Sequence, residues 1–201
     1  MKLLLATRNP GKTREIRAIL GDLPFDWLTL EDFPDYEEPE ETGETFEENA
    51  VAKALAAAKS LGLPTLGDDS GLEIDALGGA PGLKSARFAP ECKTQAEKNR
   101  KILDMMKDVS KPLRGARFFC VAALAFPDGR IVVAEGTCSG EVAYEPSGSE
   151  GFGYDPIFYI PERSCTVAEL PSEEKNRLSH RAKALLGLRD QLLRIPVYPP
   201  A

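Results

Sequence analysis

The sequence is poor in the residues that build metal centres and membrane spans. Its four cysteines contain no C-x-x-C pair, and it has a single histidine, which excludes the common zinc spacings. No apolar run approaches the roughly 20 residues that a membrane-spanning helix needs. The apolar start, Met1–Ala6, is too short for a signal peptide. We therefore expect a cytoplasmic protein without disulfides or a membrane partner, in which Cys120 is a small buried residue of an apolar strand.

Positive charge is also scarce, since 25 Lys and Arg face 32 Asp and Glu and give a net charge of −7. Bulk nucleic-acid binding needs a basic surface, so we expect no nucleic-acid partner. An anionic substrate would require positive charge that is gathered locally. With 201 residues, 42% of them hydrophobic, the chain is long enough to bury a core as a single domain over residues 1–201.

Short apolar strands and amphipathic helices mix along the chain. Strands are predicted at Lys2–Ala6 and Pro64–Gly67, and a helix runs from the N-cap Thr45 of a capping box to Leu61. The turn signal Pro127–Gly129 between two apolar runs predicts an antiparallel hairpin. Further helices are expected over residues 11–20, 94–106 and 179–193. Because the order is no strict βαβ repeat, the sequence predicts an α/β fold with a mixed sheet.

Two adjacent carboxylates, Asp68 and Asp69, stand in the segment Gly67–Gly71, where the short strand is expected to enter a turn. Asp disfavours strands, and an unpaired buried carboxylate is costly to desolvate. Such a pair suits Mg²⁺, which binds through one or two carboxylates plus substrate phosphates. A solvated turn is the alternative, because Asp, Ser and Gly are common turn residues.

The segment Thr7–Lys12 lies between the first predicted strand and helix. A helix N-terminus offers free N–H groups and a positive dipole end, and therefore favours a phosphate group. Thr7 and Asn9 add polar contacts, and Lys12 adds a charge. Gly11–Thr13 looks like the end of a Walker A loop, but that loop needs Gly where this chain has Ala6. An ordinary strand–helix turn is the other alternative.

Charged residues near the second helix form another candidate group. Asn49 and Lys53 are four residues apart and share one helix face, either in a site or on a solvated surface. Glu40 and Glu41 lie in an acidic loop, from which they can reach a metal ion or simply face solvent.

Two later segments suit contacts with a nucleoside. Aromatic residues between glycines in Gly151–Pro156 favour stacking on a base, worth about 1–3 kcal/mol per base, although two core aromatics at a strand entry fit as well. Lys175 and the run Ser179–Arg181 concentrate hydrogen-bond donors in an acidic chain. Ser179 is also suited to cap a helix.

Taken together, these segments resemble the inosine/xanthosine triphosphate pyrophosphatase family of house-cleaning nucleoside triphosphatases. Each segment alone is a weak signal, but the series is specific because it spans residues 7 to 181 in the expected order. The matching segments are Thr7–Lys12, Glu40–Gly43, Glu48–Ala50 with Lys53, Asp68–Gly71, Gly78–Gly82, Ser85–Arg87, Gly151–Pro156 and Ser179–Arg181.

The resemblance implies an elongated α/β fold, with a mixed sheet flanked by helices and an active site in the cleft between two lobes. It also implies a homodimer, Mg²⁺ as cofactor, and a purine nucleoside triphosphate as substrate. The implied reaction hydrolyses ITP, dITP or XTP to the monophosphate and pyrophosphate.

Residue roles carried over by position divide into three groups. The triphosphate would be held by Thr7, Arg8, Asn9, Pro10, Gly11, Lys12 and Lys53. Mg²⁺ would be bound by Glu40 and Asp69, of which Asp69 is also the proposed base that activates water. The nucleoside would be held by Ser70, Phe152, Gly153, Tyr154, Asp155, Lys175, His180 and Arg181. The sequence does not decide whether Asp68 or Asp69 is the base.

Base selection can be derived in part. Hypoxanthine and xanthine carry a 6-keto acceptor that suits donors such as Lys175, His180 and Arg181, whereas adenine presents a donor there. No residue is predicted to exclude guanine. One alternative is a P-loop-like NTPase that uses Gly11–Thr13. Another is a non-catalytic nucleotide sensor, but Asp68 and Asp69 argue against it, because carboxylates beside phosphates are useful only with a metal ion between them.

Overall fold

The computed structural model describes residues 1–195. Residues 196–201, the end of the predicted single domain, lie outside this range. The strands are β1 (Lys2–Leu5), β2 (Asp26–Thr29), β3 (Thr65–Ile74), β4 (Gly115–Ala125), β5 (Ile131–Val142), β6 (Phe158–Ile160) and β7 (Cys165–Thr166). The helices are α1 (Pro10–Leu20), α2 (Phe46–Leu61), α3 (Gln95–Met105), α4 (Ser172–Leu178) and α5 (His180–Leu193).

Within residues 1–195, seven strands form a sheet in the order β2–β1–β3–β4–β5–β6–β7. β1 pairs in parallel with β2 and β3, whereas β6 pairs antiparallel with β5 and β7. β4 and β5 are neighbours joined by the predicted turn, in which the Gly129 N–H donates to the Phe126 carbonyl at 2.9 Å. The predicted α/β fold with a mixed sheet is confirmed. No helix of the described chain has the length and apolar character needed to cross a membrane.

The chain folds into two compact units, each with its own apolar core. The first unit comprises Met1–Asp69, Cys120–Gly136 and the segment from His180, and the second comprises Ser70–Phe119 and Thr137–Ser179. In the first unit α1 and α5 bury apolar side chains with β1 and β4, among them Leu5, Ile16, Leu20, Leu124 and Leu188. The second core includes Ile74, Leu103, Phe118, Phe158 and Leu170.

The helix ends follow the sequence signals closely. Thr45 Oγ1 accepts the N–H of Glu48 at 3.1 Å, and α2 ends at Gly62, whose φ of 67° suits glycine. The other half of the expected capping box differs, because the Glu48 carboxylate accepts from the N–H of Glu44 at 2.6 Å. The predicted bounds of α2 are therefore confirmed, with the Glu48 contact shifted by one residue.

The predicted turn at Gly67–Gly71 is wrong, because β3 continues without a break through Asp68 and Asp69 to Ile74. Gly67 lies against α2, where an added Cβ would stand 3.1 Å from the Cβ of Ala54. The strand tolerates two Asp residues because both carboxylates have cationic partners from distant segments. β7 and α4 were not predicted from the sequence, because both are short and lack a clear apolar period.

Candidate active site

Asp68 is the most deeply buried carboxylate of the first unit, with a side chain that is 0% exposed. Its Oδ2 accepts hydrogen bonds from Lys12 Nζ at 3.0 Å and from Arg181 Nη2 at 3.1 Å. Burial alone would raise the pKa of Asp68, but the charges of Lys12 and Arg181 outweigh it and hold the pKa below its usual value. Asp68 is therefore an ionised centre of charge at which β3, α1 and α5 meet.

Arg181 lies in the first turn of α5 and is fully buried. Its guanidinium bonds Asp68 through Nε and Nη2 and pairs through Nη1 with Glu15, a buried residue of α1. Burial would lower the pKa of Arg181, but Asp68 and Glu15 raise it above its usual value. Glu15 was not predicted as a site residue, although an acidic residue beside the apolar Ile16 on the buried face of α1 is a signal in the sequence.

Cys120 on β4 completes the surroundings of Asp68. It is 0% exposed, as predicted, and its Sγ lies 3.9 Å from Asp68 Oδ2. Burial and the neighbouring Asp68 charge raise the pKa of the thiol to about 12. Cys120 is therefore a neutral thiol at physiological pH and no nucleophile.

Asp69 faces the opposite side of the strand, because successive side chains of a strand alternate. Its Oδ1 pairs with Lys53 Nζ at 3.0 Å, and its Oδ2 accepts from Asn49 Nδ2 at 3.3 Å. The predicted shared face of Asn49 and Lys53 is confirmed, and it is buried rather than solvated. Burial raises the pKa of Asp69, against the lowering effect of Lys53. The two carboxylates therefore have separate partners and opposite pKa shifts.

The acidic loop before α2 brings a further carboxylate to Lys53. Glu41 Oε1 lies 2.6 Å from Lys53 Nζ, so Lys53 is shared between Glu41 and Asp69. Burial would lower the pKa of Lys53, but Asp69 and Glu41 raise it. Glu40 is the adjacent residue of this loop and is exposed to solvent.

Hard carboxylate oxygens are the donors that Mg²⁺ prefers, and Asp69 and Glu40 provide this chemistry. Within residues 1–195, however, no group of three or more His, Cys, Asp and Glu side chains is arranged to hold a metal ion. A Mg²⁺ ion at Asp69 would therefore need oxygen ligands from substrate or water, as Mg²⁺ sites commonly have.

The predicted phosphate loop forms the start of α1. Asn9 caps the helix by accepting the N–H groups of Gly11 at 2.9 Å and Lys12 at 3.2 Å. Thr7 Oγ1 accepts the N–H of Asn9 at 3.2 Å. Arg8 pairs with Glu38 at 2.9 Å, which ties the loop to the acidic segment before α2. Side chains of the loop therefore already accept some of its backbone N–H groups. The ammonium group of Lys12 pairs with Asp68.

In the second unit, Asp155 organises the segment with the aromatic residues. Its Oδ2 accepts the N–H of Phe152 at 2.7 Å and pairs with Lys175, whose Nζ lies 4.7 Å from the centre of the Phe152 ring. Gly151 has a φ of 74°, and an added Cβ would collide with the Asp155 carboxylate. The glycine therefore permits the approach of Asp155 that fixes the position of Phe152.

The two aromatic residues of this segment differ in their surroundings. Phe152 is partly exposed beside Gly153. Tyr154 is 6% exposed, belongs to the second core, and donates to the Ser85 carbonyl at 2.8 Å. The core-aromatic alternative therefore holds for Tyr154, whereas Phe152 keeps an accessible ring.

Two further predicted site residues, Ser70 and His180, each begin a segment of one of the two units. Ser70 follows Asp69 on β3 and is partly exposed. His180 begins α5 and is 7% exposed. Its carbonyl lies so close to β5 that an added Cβ on Gly136 would overlap it. Gly136 thereby lets the start of α5, which carries His180 and Arg181, pack directly on the strand.

The sequence profile of the Ham1 family matches residues 3–191, and the chain therefore belongs to the Ham1 family. A Ham1 protein from Coxiella burnetii is 43% identical, with a TM-score of 0.86 over 96% of this chain and 98% of that one. The Staphylococcus aureus Ham1 protein is 41% identical, with a TM-score of 0.84, covering 96% of this chain and 98% of that one.

Relatives at about half identity carry a more specific name. The Geobacter sulfurreducens protein named dITP/XTP pyrophosphatase is 50% identical over 95% of this chain and 96% of its own. The protein of that name from Desulforamulus reducens is 49% identical over 98% of both chains. The predicted family resemblance is confirmed, and the family match removes the reason for a P-loop assignment of Gly11–Thr13.

Proposed function

We propose that the chain hydrolyses the non-standard purine nucleoside triphosphates ITP, dITP and XTP to the nucleoside monophosphate and pyrophosphate. Its relatives of that name match nearly the whole chain at about 50% identity. The structural observation that carries the proposal is the position of Asp69, a buried carboxylate with a raised pKa beside the ammonium group of Lys53. The expected consequence is that deaminated purines are removed from the nucleotide pool.

Asp69, rather than Asp68, is the proposed general base. Asp68 is fully buried, bonded by two cations, and has a lowered pKa, so it is a weak proton acceptor. Asp69 has a raised pKa and is therefore the more basic of the two. A base with a pKa nearer to neutral pH is better suited to take a proton from water.

The triphosphate is proposed to bind at Lys12, Lys53 and the loop Thr7–Lys12. Both lysines are engaged by carboxylates, Lys12 by Asp68 and Lys53 by Asp69 and Glu41. An incoming phosphate oxygen would add to these contacts or replace one of them. Attack of water on the α-phosphorus requires little covalent chemistry from the protein. The rate enhancement would come from positioning the reactants and neutralising the negative charge that develops on the phosphates.

Mg²⁺ dependence is part of the proposal, with Glu40 and Asp69 as the residues that would hold the ion. When bound, Mg²⁺ would neutralise negative charge on the phosphate oxygens. The carboxylate donors of these two residues fit such a hard cation, and the phosphates would complete its ligand set.

The nucleoside is proposed to bind at Ser70, Phe152, Gly153, Tyr154, Asp155, Lys175, His180 and Arg181. The ring of Phe152, fixed through Asp155, is suited to stack on a purine. Lys175, His180 and Arg181 are the candidate donors to the 6-keto oxygen. The Arg181 guanidinium already donates to Asp68 and Glu15. A direct contact with the base would have to add to these contacts or replace one of them.

Product analysis tests the function. The protein is incubated with Mg²⁺ and ITP, XTP, dITP, GTP or ATP, and the monophosphate, pyrophosphate and orthophosphate are quantified. The proposal expects equal amounts of monophosphate and pyrophosphate, with the 6-keto substrates ITP, XTP and dITP preferred to ATP. Orthophosphate as the main product would support a P-loop-like NTPase, and binding without turnover would support a nucleotide sensor.

Three broader expectations complete the proposal. We propose that the two units act as one catalytic domain, that the chain forms a homodimer, as the resemblance implies, and that it acts in the cytoplasm without a nucleic-acid partner. The net charge of −7 supports the last point. Light scattering after gel filtration tests the dimer, because a mass equal to that of one chain would contradict it.

A further inference from the structure

Asn49 is a buried polar residue of α2 whose side-chain amide makes one hydrogen bond to a carboxylate and one to the backbone of a loop. It is 2% exposed, and its Nδ2 donates to Asp69 Oδ2 at 3.3 Å. Its Oδ1 accepts the N–H of Gly43 at 2.9 Å. One side-chain amide therefore joins the proposed general base to the loop that carries Glu40 and Glu41.

The surroundings of this amide are fitted to it. An added Cβ on Gly43 would stand 2.7 Å from Asn49 Oδ1 and 2.8 Å from the Cβ of Glu48, so the close approach of the loop depends on glycine. Two residues after Gly43, Thr45 caps α2 and fixes where the helix begins. Gly43 is thus held between the helix start and the amide of Asn49.

The two oxygens of Asp69 are held by two different partners of the same helix. Lys53 contacts Oδ1, and Asn49 contacts Oδ2. A carboxylate with one anchored oxygen can still rotate about its bond to Cβ, whereas contacts to both oxygens fix the plane of the group. Asn49 also supplies a neutral donor, which leaves the net charge around Asp69 unchanged.

We propose that Asn49 is a positioning residue for hydrolysis, which sets the plane of the Asp69 carboxylate and couples it to the Glu40–Gly43 loop. This inference rests on the proposed function, because it assigns Asn49 a role through the proposed base. Asn49 touches no substrate in this account. Its effect is expected on turnover, since a misplaced base lowers the rate even when binding is kept.

The test compares Asn49→Leu with two matched variants at saturating Mg²⁺ over a range of dITP concentrations, so that kcat and KM are both measured. Leucine has the branching and the number of side-chain heavy atoms of asparagine but no donor or acceptor, so it removes both bonds. Gly43→Ala forces the loop away from Oδ1 and leaves the donor to Asp69. Thr65→Val removes a hydrogen bond of another buried polar residue of the same unit, from Thr65 Oγ1 to the Leu63 carbonyl at 2.9 Å.

Loss of a group that orients a catalytic ligand typically lowers activity by about 10- to 100-fold, and we expect such a fall in kcat for Asn49→Leu. KM for dITP should change by less than about threefold, because Lys12 and Lys53 remain to bind phosphate. Gly43→Ala should lower kcat less than Asn49→Leu. Thr65→Val should keep the parental kcat while its unfolding midpoint falls. A kcat of Asn49→Leu within about threefold of the parent would overturn the proposal.

A measurement that does not depend on activity accompanies the kinetics. Thermal unfolding midpoints of Asn49→Leu, Asp69→Ala and the double variant form a cycle. We expect the two substitutions to be non-additive, because each removes the same hydrogen bond, and additive midpoints would overturn the positioning role. Asn49→Ser, which is too short to reach Asp69, replaces Asn49→Leu in both assays if the leucine variant does not fold. A parent protein that releases no pyrophosphate would contradict the proposed function instead.

Discussion

Replacing Arg181 by methionine should strongly destabilise the protein, because it removes the cation that pairs with two buried carboxylates. Asp68 and Glu15 are both buried, and Arg181 bonds both of them. After the substitution, Asp68 Oδ2 keeps the ammonium group of Lys12 at 3.0 Å but loses the guanidinium. Removing one partner of a buried ion pair typically costs about 3–5 kcal/mol, because it leaves an uncompensated buried charge.

That loss is large against the whole stability of a domain, which is about 5–15 kcal/mol. In a chain of this length each kcal/mol moves the thermal midpoint by about 2–4 °C, so Arg181→Met should lower Tm by roughly 6–20 °C. Differential scanning calorimetry measures this shift, and urea unfolding measures the free energy of unfolding independently.

The control lies on the same helix. Arg189 of α5 pairs with Asp22, but both side chains are exposed to solvent, at 31% and 63%. Such exposed pairs contribute little, so Arg189→Met should leave Tm almost unchanged. Equal Tm shifts in the two variants, or a loss below about 1 kcal/mol for Arg181→Met, would refute the reasoning that Arg181 neutralises the buried carboxylates.

Three further predictions concern other parts of the molecule. Lys12→Ala should raise KM for dITP, XTP and GTP by similar factors, because a phosphate contact carries no base information, and steady-state kinetics would contradict this if only dITP and XTP were affected. Gly151→Ala should raise KM for dITP by displacing Asp155 and the ring of Phe152, so an unchanged KM would argue against a stacking role. Cys120, with a pKa of about 12, should react with iodoacetamide at pH 8 far more slowly than the partly exposed Cys92, and peptide mass spectrometry would contradict the buried site if the two rates matched.

Local signals predicted the elements whose structure is decided locally. The bounds of α2 follow from the cap at Thr45 and from Gly62, whose positive φ ends the helix. The turn between β4 and β5 follows from Pro127–Gly129 in the same way. In each case a few neighbouring residues determine the backbone, so a window of sequence contains the necessary information.

The path of β3 could not be predicted by such signals. Two adjacent Asp residues have a low local propensity for a strand. The cations that stabilise them come from other parts of the chain, and Arg181 is 113 positions from Asp68. Local propensity was overridden by ion pairs that exist only in the folded state. The same long range explains why Glu15 was missed, since its pairing with Arg181 spans 166 positions.

The candidate site was predicted mainly as a set of residues rather than as an arrangement. The ordered segments predicted Lys53, Asp69 and Lys175 as candidate site residues. They did not indicate that Asp68 and Asp69 have opposite pKa shifts, or that Glu41 is the loop residue that contacts Lys53. These facts depend on burial and on the strand's alternation of side chains, which follow from packing.

The position at which water attacks the triphosphate tests the central claim most directly. The protein hydrolyses dITP with Mg²⁺ in water enriched in ¹⁸O, and mass spectrometry locates the label in the products. Attack on the α-phosphorus predicts that the ¹⁸O is found in dIMP and that the pyrophosphate is unlabelled, with Asp69→Asn nearly inactive. Label in pyrophosphate or orthophosphate, or an Asp69→Asn variant within about tenfold of the parent rate, would contradict the account.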